Sequence, residues 1–160
     1  MPEMTDPQDA LKLFQRAFRE GILELRRCSL EPDLWVHVDR VNNHFRLTYA
    51  YLDGRTVTAF AVFVQTEPHE GLPCFQVGYA VPPKFRKQGK GTAVVKSAIA
   101  EMEHGFSRTA MTSFYIEAIV GRDNVASQRV AETVLLQKGR ETVDSVSGKP
   151  ALAYMRKMGA

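Results

Sequence analysis

Apolar residues recur along the chain with two different periods, and each change of period marks a predicted element. From residue 7 to residue 25 they lie on one helical stripe, which consists of Leu11, Phe14, Phe18, Ile22 and Leu25. Asp6 precedes this stripe as a residue type that caps helix N-termini, and Pro7 occupies the first helical position, where proline is tolerated. The pattern predicts an amphipathic first helix.

Extended segments follow the first helix. Runs rich in β-branched and aromatic residues predict strands over 34–40, 44–52 and 56–65, and the last two are joined by a hairpin-type turn at Asp53-Gly54-Arg55. The next segment, 66–73, contains two prolines and a glycine and is predicted to form a loop. A further strand is predicted over 74–81, where Pro82-Pro83 ends it. An antiparallel meander is expected.

The second half of the chain alternates helices with strands. Helical spacing over 92–103 precedes Gly105, which is expected to be the C-terminal cap of that helix. The remaining predicted elements are a strand over 113–120, a helix over 123–137 and strands around 140–146 and 151–158. Asp123 or Asn124 is the expected N-cap of the last helix. The order predicts an α/β or α+β fold, in which ligands tend to bind beyond the carboxyl ends of strands.

Composition limits the class of protein without indicating its function. The 160 residues, 44% of them hydrophobic, suffice for one substantial core, so residues 1–160 are predicted to form a single domain. A net charge of +3 does not indicate a nucleic-acid-binding protein, and no apolar run has the length of a signal peptide or a membrane span. Cys28 and Cys74 show no metal-ligand spacing, so neither a metal site nor a disulfide framework is expected, and the cytoplasm is the predicted location.

The stretch between the predicted strand end near Val81 and the helix start near Thr92 carries the strongest sign of a ligand. Gly89 and Gly91 lack side chains that would keep a ligand away from the backbone. The basic residues of the stretch are Lys84, Arg86, Lys87 and Lys90. Because a helix N-terminus offers unpaired N–H groups and a partial positive charge, the loop is predicted to bind an anion, most simply a polyphosphate.

Two common phosphate-binding motifs do not fit this loop. A Walker A motif requires glycine five residues before its Gly-Lys and serine or threonine directly after it, whereas Lys84 and Gly91 occupy those positions. A dinucleotide fingerprint requires a third glycine where Val94 stands. The loop therefore belongs to another class of phosphate site.

The pattern Arg86-x-x-Gly89-x-Gly91, between a strand and a helix, resembles the acetyl-CoA pyrophosphate motif of the GNAT superfamily of N-acetyltransferases. Asn124 and Ser127 match a second signature, Asn-x-x-Ser, in the form typical of the branch that contains ribosomal-protein N-terminal acetyltransferases. The resemblance spans roughly residues 75–158. It implies a mixed, mainly antiparallel twisted sheet of about six or seven strands, flanked by helices, with a splayed central strand pair that holds acetyl-CoA.

The resemblance also implies site residues and a reaction. The residues it assigns to the co-substrate acetyl-CoA are Val81, Arg86, Lys87, Gln88, Gly89, Lys90, Gly91, Thr92 and Asn124. In this superfamily an amine attacks the thioester directly in a ternary complex, and backbone N–H near Val81 is expected to stabilise the oxyanion. Ala131 stands where many members carry the tyrosine that protonates the departing thiolate. Ser127 is therefore the expected catalytic acid, and Tyr115, Tyr154 or water is the alternative.

Glu117 and His69 are the candidate bases for the acceptor amine. Glu117 lies in a predicted strand beside the cleft, and His69 lies between Glu67 and Glu70 before the cofactor strand. These carboxylates predict an acidic acceptor side and hence a cationic amine, in a small molecule or a peptide N-terminus. A catalytically silent acyl-CoA-binding domain is the alternative function, and a homodimer is left open. Nucleic acid is not an expected partner, since no aromatic stacking pattern accompanies the basic loop.

Overall fold

The computed structural model describes residues 6–159, which form an eight-stranded sheet and three α-helices. The helices are α1 (Pro7–Arg19), α2 (Lys90–Phe106) and α3 (Val125–Leu135), and a short 3-10 helix spans Pro83–Phe85. The strands are β1 (Arg26–Arg27), β2 (Leu34–Val41), β3 (His44–Asp53), β4 (Thr56–His69), β5 (Leu72–Ala80), β6 (Ser113–Gly121), β7 (Arg140–Val143) and β8 (Pro150–Gly159). No helix within residues 6–159 is long and apolar enough to cross a membrane.

The sheet has the order β1-β2-β3-β4-β5-β6-β8-β7, and its neighbouring strands are antiparallel except for β5 and β6. The parallel pairing of β5 and β6 joins residues 74–76 to residues 115–117. Beyond it, β5 stays paired with β4 and β6 with β8, so residues 77–80 and 118–121 diverge into an opening that we call the fork. The expected mixed, mainly antiparallel sheet is confirmed, with eight strands.

Helices cover the two faces of the sheet differently. The helices α2 and α3 pack on one face, which we call the helical face, and bury an apolar cluster that includes Phe75, Ile116 and Met102. Helix α1 packs on the opposite face, where the rings of Phe14 and Phe60 lie 5.4 Å apart between centroids. Because side chains alternate along a strand, each side chain of the fork points to one of these two faces.

The first helix is shorter than its apolar stripe predicts. It begins at Pro7 behind the capping carboxylate of Asp6, as expected. It ends after 13 residues because Gly21 adopts a left-handed conformation with φ of 72°, which closes the last turn. The prediction that Ile22 and Leu25 continue the helical stripe is therefore wrong.

The loop predicted over residues 66–73 is instead a tight hairpin. Strand β4 continues to His69, and only Glu70 and Gly71 separate it from β5. Both turn residues have positive φ, 49° and 76°, as two-residue hairpin turns of type I′ require. Pro68 is tolerated inside the strand because the register of β4 against β5 shifts directly before His69.

Helix α2 extends further than predicted at its C-terminus. Gly105 lies inside the helix, so its predicted role as the C-terminal cap is wrong. The capping residue is Ser107, whose N–H donates to the Glu103 carbonyl at 3.0 Å and whose hydroxyl donates to the His104 carbonyl at 2.7 Å. These bonds satisfy terminal carbonyls without a left-handed glycine.

The buried side chain of Glu101 in α2 anchors the loop between β1 and β2. Its carboxylate accepts hydrogen bonds from the N–H groups of Ser29, Leu30 and Glu31 at 3.2, 2.5 and 2.9 Å. Hydrogen bonds to an ionised acceptor are about twice as strong as those between neutral groups. The loop is therefore held to the helix by one charged group.

We expect Glu101→Gln to lower the free energy of unfolding by about 2 kcal/mol, because the amide turns a donor toward a backbone N–H that needs an acceptor. Denaturant titration measures the change. Glu132→Gln, at an exposed position of α3, is the matched control and should change stability by less than about 0.5 kcal/mol. Equal stability of the two variants would contradict the anchoring role of Glu101.

Candidate active site

The two arms of the fork end at Ala80 and Gly121, and we call this end the open end of the fork. The loop after β5 places the N-terminus of α2 there. Gly89 is the N-cap residue with φ of 72°, and its end of the helix has no side-chain cap. A hydrogen bond of 3.1 Å from Ala93 N–H to the Gly89 carbonyl begins the helical ladder, so the N–H groups of residues 89–92 precede it without a helical partner. Together with the helix dipole, these donors suit an anionic group.

Close packing at the open end of the fork brings β5, α2 and α3 together. A Cβ atom on Gly91 would lie 3.7 Å from Val81 Cγ2 and 3.8 Å from Val130 Cγ2. Arg86 folds back so that its Nε donates to the Val81 carbonyl at 3.0 Å, and Gln8 of α1 reaches the same carbonyl at 3.4 Å. The carbonyl that follows β5 thus accepts hydrogen bonds from the loop and from α1, so Val81 and Arg86, both predicted to contact acetyl-CoA, also bond to each other.

Polar and basic side chains surround this helix N-terminus. The exposed ones are Lys84, Arg86, Lys87 and Gln88, and the half-buried ones are Lys90 and Thr92. Lys87 itself has φ of 62°, which turns the chain before Gly89. The first turn of α2 contains no acidic residue. The positive charge therefore has no carboxylate partner in that turn and suits a group with several negative charges.

The N-terminus of α3 forms the other side of the open end. Asn124 is its N-cap, as predicted, and Asn124 Oδ1 accepts a hydrogen bond from the Ser127 N–H at 3.1 Å. Because capping uses the side-chain oxygen, the exposed amide N–H₂ group of Asn124 can still donate to a ligand. Capping and ligand binding are compatible at this residue.

Tyr79 is a residue of this region that the sequence analysis did not single out. Its hydroxyl donates to the Ser127 carbonyl at 2.5 Å, so its side chain reaches from the β5 arm of the fork to the first turn of α3. Burial raises the pKa of the Tyr79 phenol. The signal that identifies Tyr79 is alternation, since Phe75, Val77 and Tyr79 share the helical face.

Glu117 lies at the point where β5 and β6 part, which we call the vertex of the fork. Its side chain is on the face of the sheet opposite the helical face. Its neighbour Ile116 is buried on the helical face, and its register partner on β5 is Gln76. Burial raises the pKa of the Glu117 carboxyl, although the positive charges of Arg140 and His69 act against this shift. A raised pKa makes the carboxylate a stronger proton acceptor than an exposed glutamate.

A polar cluster of His69, Glu70 and Tyr115 lies near Glu117. Tyr115 Oη donates to a Glu70 carboxylate oxygen at 2.9 Å, and the rings of His69 and Tyr115 meet edge to face with centroids 4.7 Å apart. Tyr115 is the register partner of Cys74, two residues before Glu117 on the same strand, so it shares the face of Glu117. It therefore lies away from Ser127, on the other side of the sheet.

Tyr154, the other predicted substitute for the missing tyrosine, is a core residue. Its side chain is 1% exposed on the helical face, and its hydroxyl lacks a hydrogen-bond partner within residues 6–159. The hydroxyl packs against Gly139, where a Cβ atom would lie only 2.8 Å from it. The Tyr154 hydroxyl therefore packs against the segment before β7, although it is close enough to Tyr79 to contribute to the raised pKa of that phenol.

The structure thus separates the predicted site residues into two groups. The loop residues, Asn124 and Ser127 lie together around the open end of the fork on the helical face, whereas Glu117 lies on the opposite face. The hydrogen-bond donors of the α2 N-terminus are therefore on the helical face, and the carboxylate of Glu117, which can accept a proton, is on the opposite face. Residues 6–159 contain no group of three or more side chains placed to hold a metal ion.

Comparison with known proteins gives a family and a shared fold. The sequence profile described as "Acetyltransferase (GNAT) family" matches residues 8–135. A GNAT-family acetyltransferase from Streptococcus pneumoniae superimposes with a TM-score of 0.54 at 12% identity, covering 98% of each chain. The ribosomal-protein-S18-alanine N-acetyltransferase of Escherichia coli gives 0.52 at 14% identity, covering 99% of this chain and 93% of its own. A search of curated protein sequences found no match.

Proposed function

The chain belongs to the GNAT family of acetyltransferases, and on that basis we propose that it transfers an acetyl group from acetyl-CoA to a primary amine. The observation that supports this proposal most is the glycine-rich, uncapped N-terminus of α2 at the open end of the fork. The thioester supplies an acetyl carbon that an amine can attack directly. The protein must then hold the donor, accept a proton from the amine and stabilise the charges that develop.

Acetyl-CoA, the acetyl donor, would be held mainly by backbone N–H groups and by basic side chains. The N–H groups of residues 89–92 would receive the diphosphate, and Arg86, Lys87 and Lys90 would balance its charge. The remaining predicted contacts are those of Val81, Gln88, Gly91, Thr92 and Asn124. Glycine at positions 89 and 91 is consistent with this role, because it leaves the backbone accessible.

Proton transfer would use both faces of the sheet. An α-amine titrates near pH 8 and a lysine amine near pH 10.4, so the acceptor must lose a proton before it attacks. Glu117, half-buried on the opposite face, would take this proton directly or through water. The acceptor would then approach from that face, while the sulfur departs toward the helical face and Ser127.

An assay with acetyl-CoA and a panel of small amines and peptide N-termini tests the proposal. Release of free thiol above the rate without protein is the expected result, and calorimetry with coenzyme A measures binding in parallel. Binding without turnover for every amine would favour the catalytically silent acyl-CoA-binding domain instead. Absence of binding would contradict both functions.

We expect acceptors with an additional positive charge to react faster than matched neutral or acidic amines. Glu67 is exposed and Glu70 and Glu117 lie near the vertex, although Arg140 offsets part of this negative charge. The preference should shrink between low and physiological salt, because exposed charges are screened over about 8 to 10 Å. Steady-state rates at two salt concentrations measure it.

A matched pair of variants sharpens this test of acceptor charge. Glu67→Gln removes an exposed charge of the predicted acidic acceptor side, and Glu132→Gln removes one on α3. Only the first should reduce the preference for cationic amines. A preference for acidic acceptors, or a cationic preference that neither salt nor Glu67→Gln alters, would contradict the prediction.

A further inference from the structure

Tyr79 lies along the part of β5 that has parted from β6. It is three residues beyond Gln76, which is paired with Glu117, and two residues before Val81 at the open end. At about 3.3 Å per residue, these separations correspond to about 10 Å and about 7 Å along the strand. A donor that extends from the α2 N-terminus into the fork would therefore pass beside Tyr79.

The Tyr79 hydroxyl also reaches the surface of α3 where a catalytic tyrosine is missing. Ala131 lies one helical turn after Ser127, and helical geometry directs its N–H to the Ser127 carbonyl. Tyr79 donates to that same carbonyl at 2.5 Å. A phenol from the strand thus occupies the neighbourhood that a phenol on the helix at position 131 would occupy.

We propose that Tyr79 is the catalytic acid that donates its hydroxyl proton to the departing sulfur of coenzyme A. The inference rests on the proposed acetyl transfer and assigns its leaving-group step. Of the two tyrosines named from the sequence, Tyr115 lies on the opposite face and is bonded to Glu70, and Tyr154 is buried against Gly139. Tyr79 lies on the β5 arm of the fork, and its side chain is on the helical face.

Acetyl transfer exchanges a carbon–sulfur bond for a carbon–nitrogen bond. The amine nitrogen bonds to the carbonyl carbon, the carbon–sulfur bond breaks, and the sulfur leaves with the electron pair. The Tyr79 O–H turns from the Ser127 carbonyl, which breaks that hydrogen bond, and gives its proton to the sulfur; the phenolate regains a proton from solvent when coenzyme A departs. Because burial raises the pKa of the phenol, the proton is present at neutral pH, and the same desolvation favours the thiol over the thiolate.

Tyr79→Phe keeps the ring and removes only the hydroxyl. We expect kcat to fall about tenfold, a modest value for a general acid because a thiolate can also leave with water as the proton donor. The dissociation constant of acetyl-CoA should stay within about twofold and the melting temperature within about 3 °C. Tyr51→Phe is the control, because Tyr51 Oη also bonds a helix, at 2.7 Å from Ser97 Oγ, but lies outside the fork.

Ser127→Ala separates the two candidate acids, since its loss of kcat should be clearly smaller than that of Tyr79→Phe if Tyr79 is the acid. Unchanged kcat in Tyr79→Phe, or a tenfold loss in Ser127→Ala instead, would overturn the assignment. A parallel loss of acetyl-CoA affinity or melting temperature in Tyr79→Phe would also overturn it, because it would indicate a structural role. Wild-type protein that binds acetyl-CoA but acetylates no amine would instead contradict the proposed function.

A spectroscopic measurement tests the position of the hydroxyl without turnover. 3-Fluorotyrosine introduced at position 79 gives a fluorine resonance beside the phenol oxygen. We expect coenzyme A to shift this resonance and desulfo-coenzyme A, which lacks the sulfur, to shift it clearly less. An equal response to the two ligands, or no response while calorimetry shows binding, would overturn the placement of Tyr79 beside the sulfur.

Discussion

Glu117→Gln is expected to lower kcat for acetyl transfer by about a hundredfold or more, because the amide cannot accept the proton of the acceptor ammonium group. The affinity for acetyl-CoA should stay within about twofold, since Glu117 lies on the face opposite the α2 N-terminus. Steady-state kinetics and calorimetry measure the two quantities separately. Glu132→Gln, an exposed charge change on α3, is the control and should leave both unchanged.

The pH dependence gives this prediction a second measurement. A base acts when deprotonated, so wild-type kcat should rise with pH through the pKa of Glu117, which burial raises, and the variant should lack this limb. A carboxyl whose pKa is raised by folding binds more protons in the folded state, so the free energy of unfolding decreases as pH rises through that interval. The variant should thus be at least as stable near neutral pH. A retained acidic limb, or unchanged kcat, would contradict the role of Glu117.

Gly89→Asp is expected to weaken acetyl-CoA binding by well over tenfold, which corresponds to more than about 1.4 kcal/mol. Gly89 is the N-cap of α2 with φ of 72°, so a carboxylate there would stand among the N–H groups proposed to receive the diphosphate. Like charges would then face each other at a site that lacks another acidic residue in the first helical turn. Calorimetry measures the loss of affinity.

Gly89→Asn is the matched control for this charge. Asparagine has the shape of aspartate and is likewise among the residues best tolerated at positive φ, so it imposes a similar backbone strain without the negative charge. We expect it to retain most of the affinity and to match the aspartate variant in melting temperature. Equal affinity of the folded aspartate variant and the wild type would exclude the loop from the donor site.

The sequence predicts the proposed acetyl-CoA side of the fork because that side is formed by residues that are neighbours in the chain. Gly89 caps the helix that directly follows it, and Asn124 caps its own helix through a residue three positions away. Such local geometry leaves a residue pattern that can be read directly. Tyr79 meets Ser127 across 48 residues, and Glu101 meets its loop across about 70, so no spacing in the sequence indicates either contact.

The errors in the predicted elements also have physical causes. The spacing of apolar residues predicts that α1 continues to Ile22 and beyond. The helix ends before that, because Gly21 adopts a left-handed conformation. Proline and glycine over 66–73 indicate a loop, yet a register shift accommodates Pro68 within β4. In both places the backbone conformation of one or two residues overrides the composition of the surrounding segment.

The fork affects which side-chain substitutions this protein can tolerate along β5 and β6. Along residues 77–80 and 118–121, one edge of each strand carries main-chain N–H and C=O groups that face no neighbouring strand. Every residue except proline carries the same two groups, so a ligand that pairs with such an edge tolerates almost any side chain there. Proteins at 12% and 14% identity share this fold. In this protein the fork is set by the place where β5 and β6 part, and Pro82 and Pro83, which lack the N–H group, come only after β5 has ended.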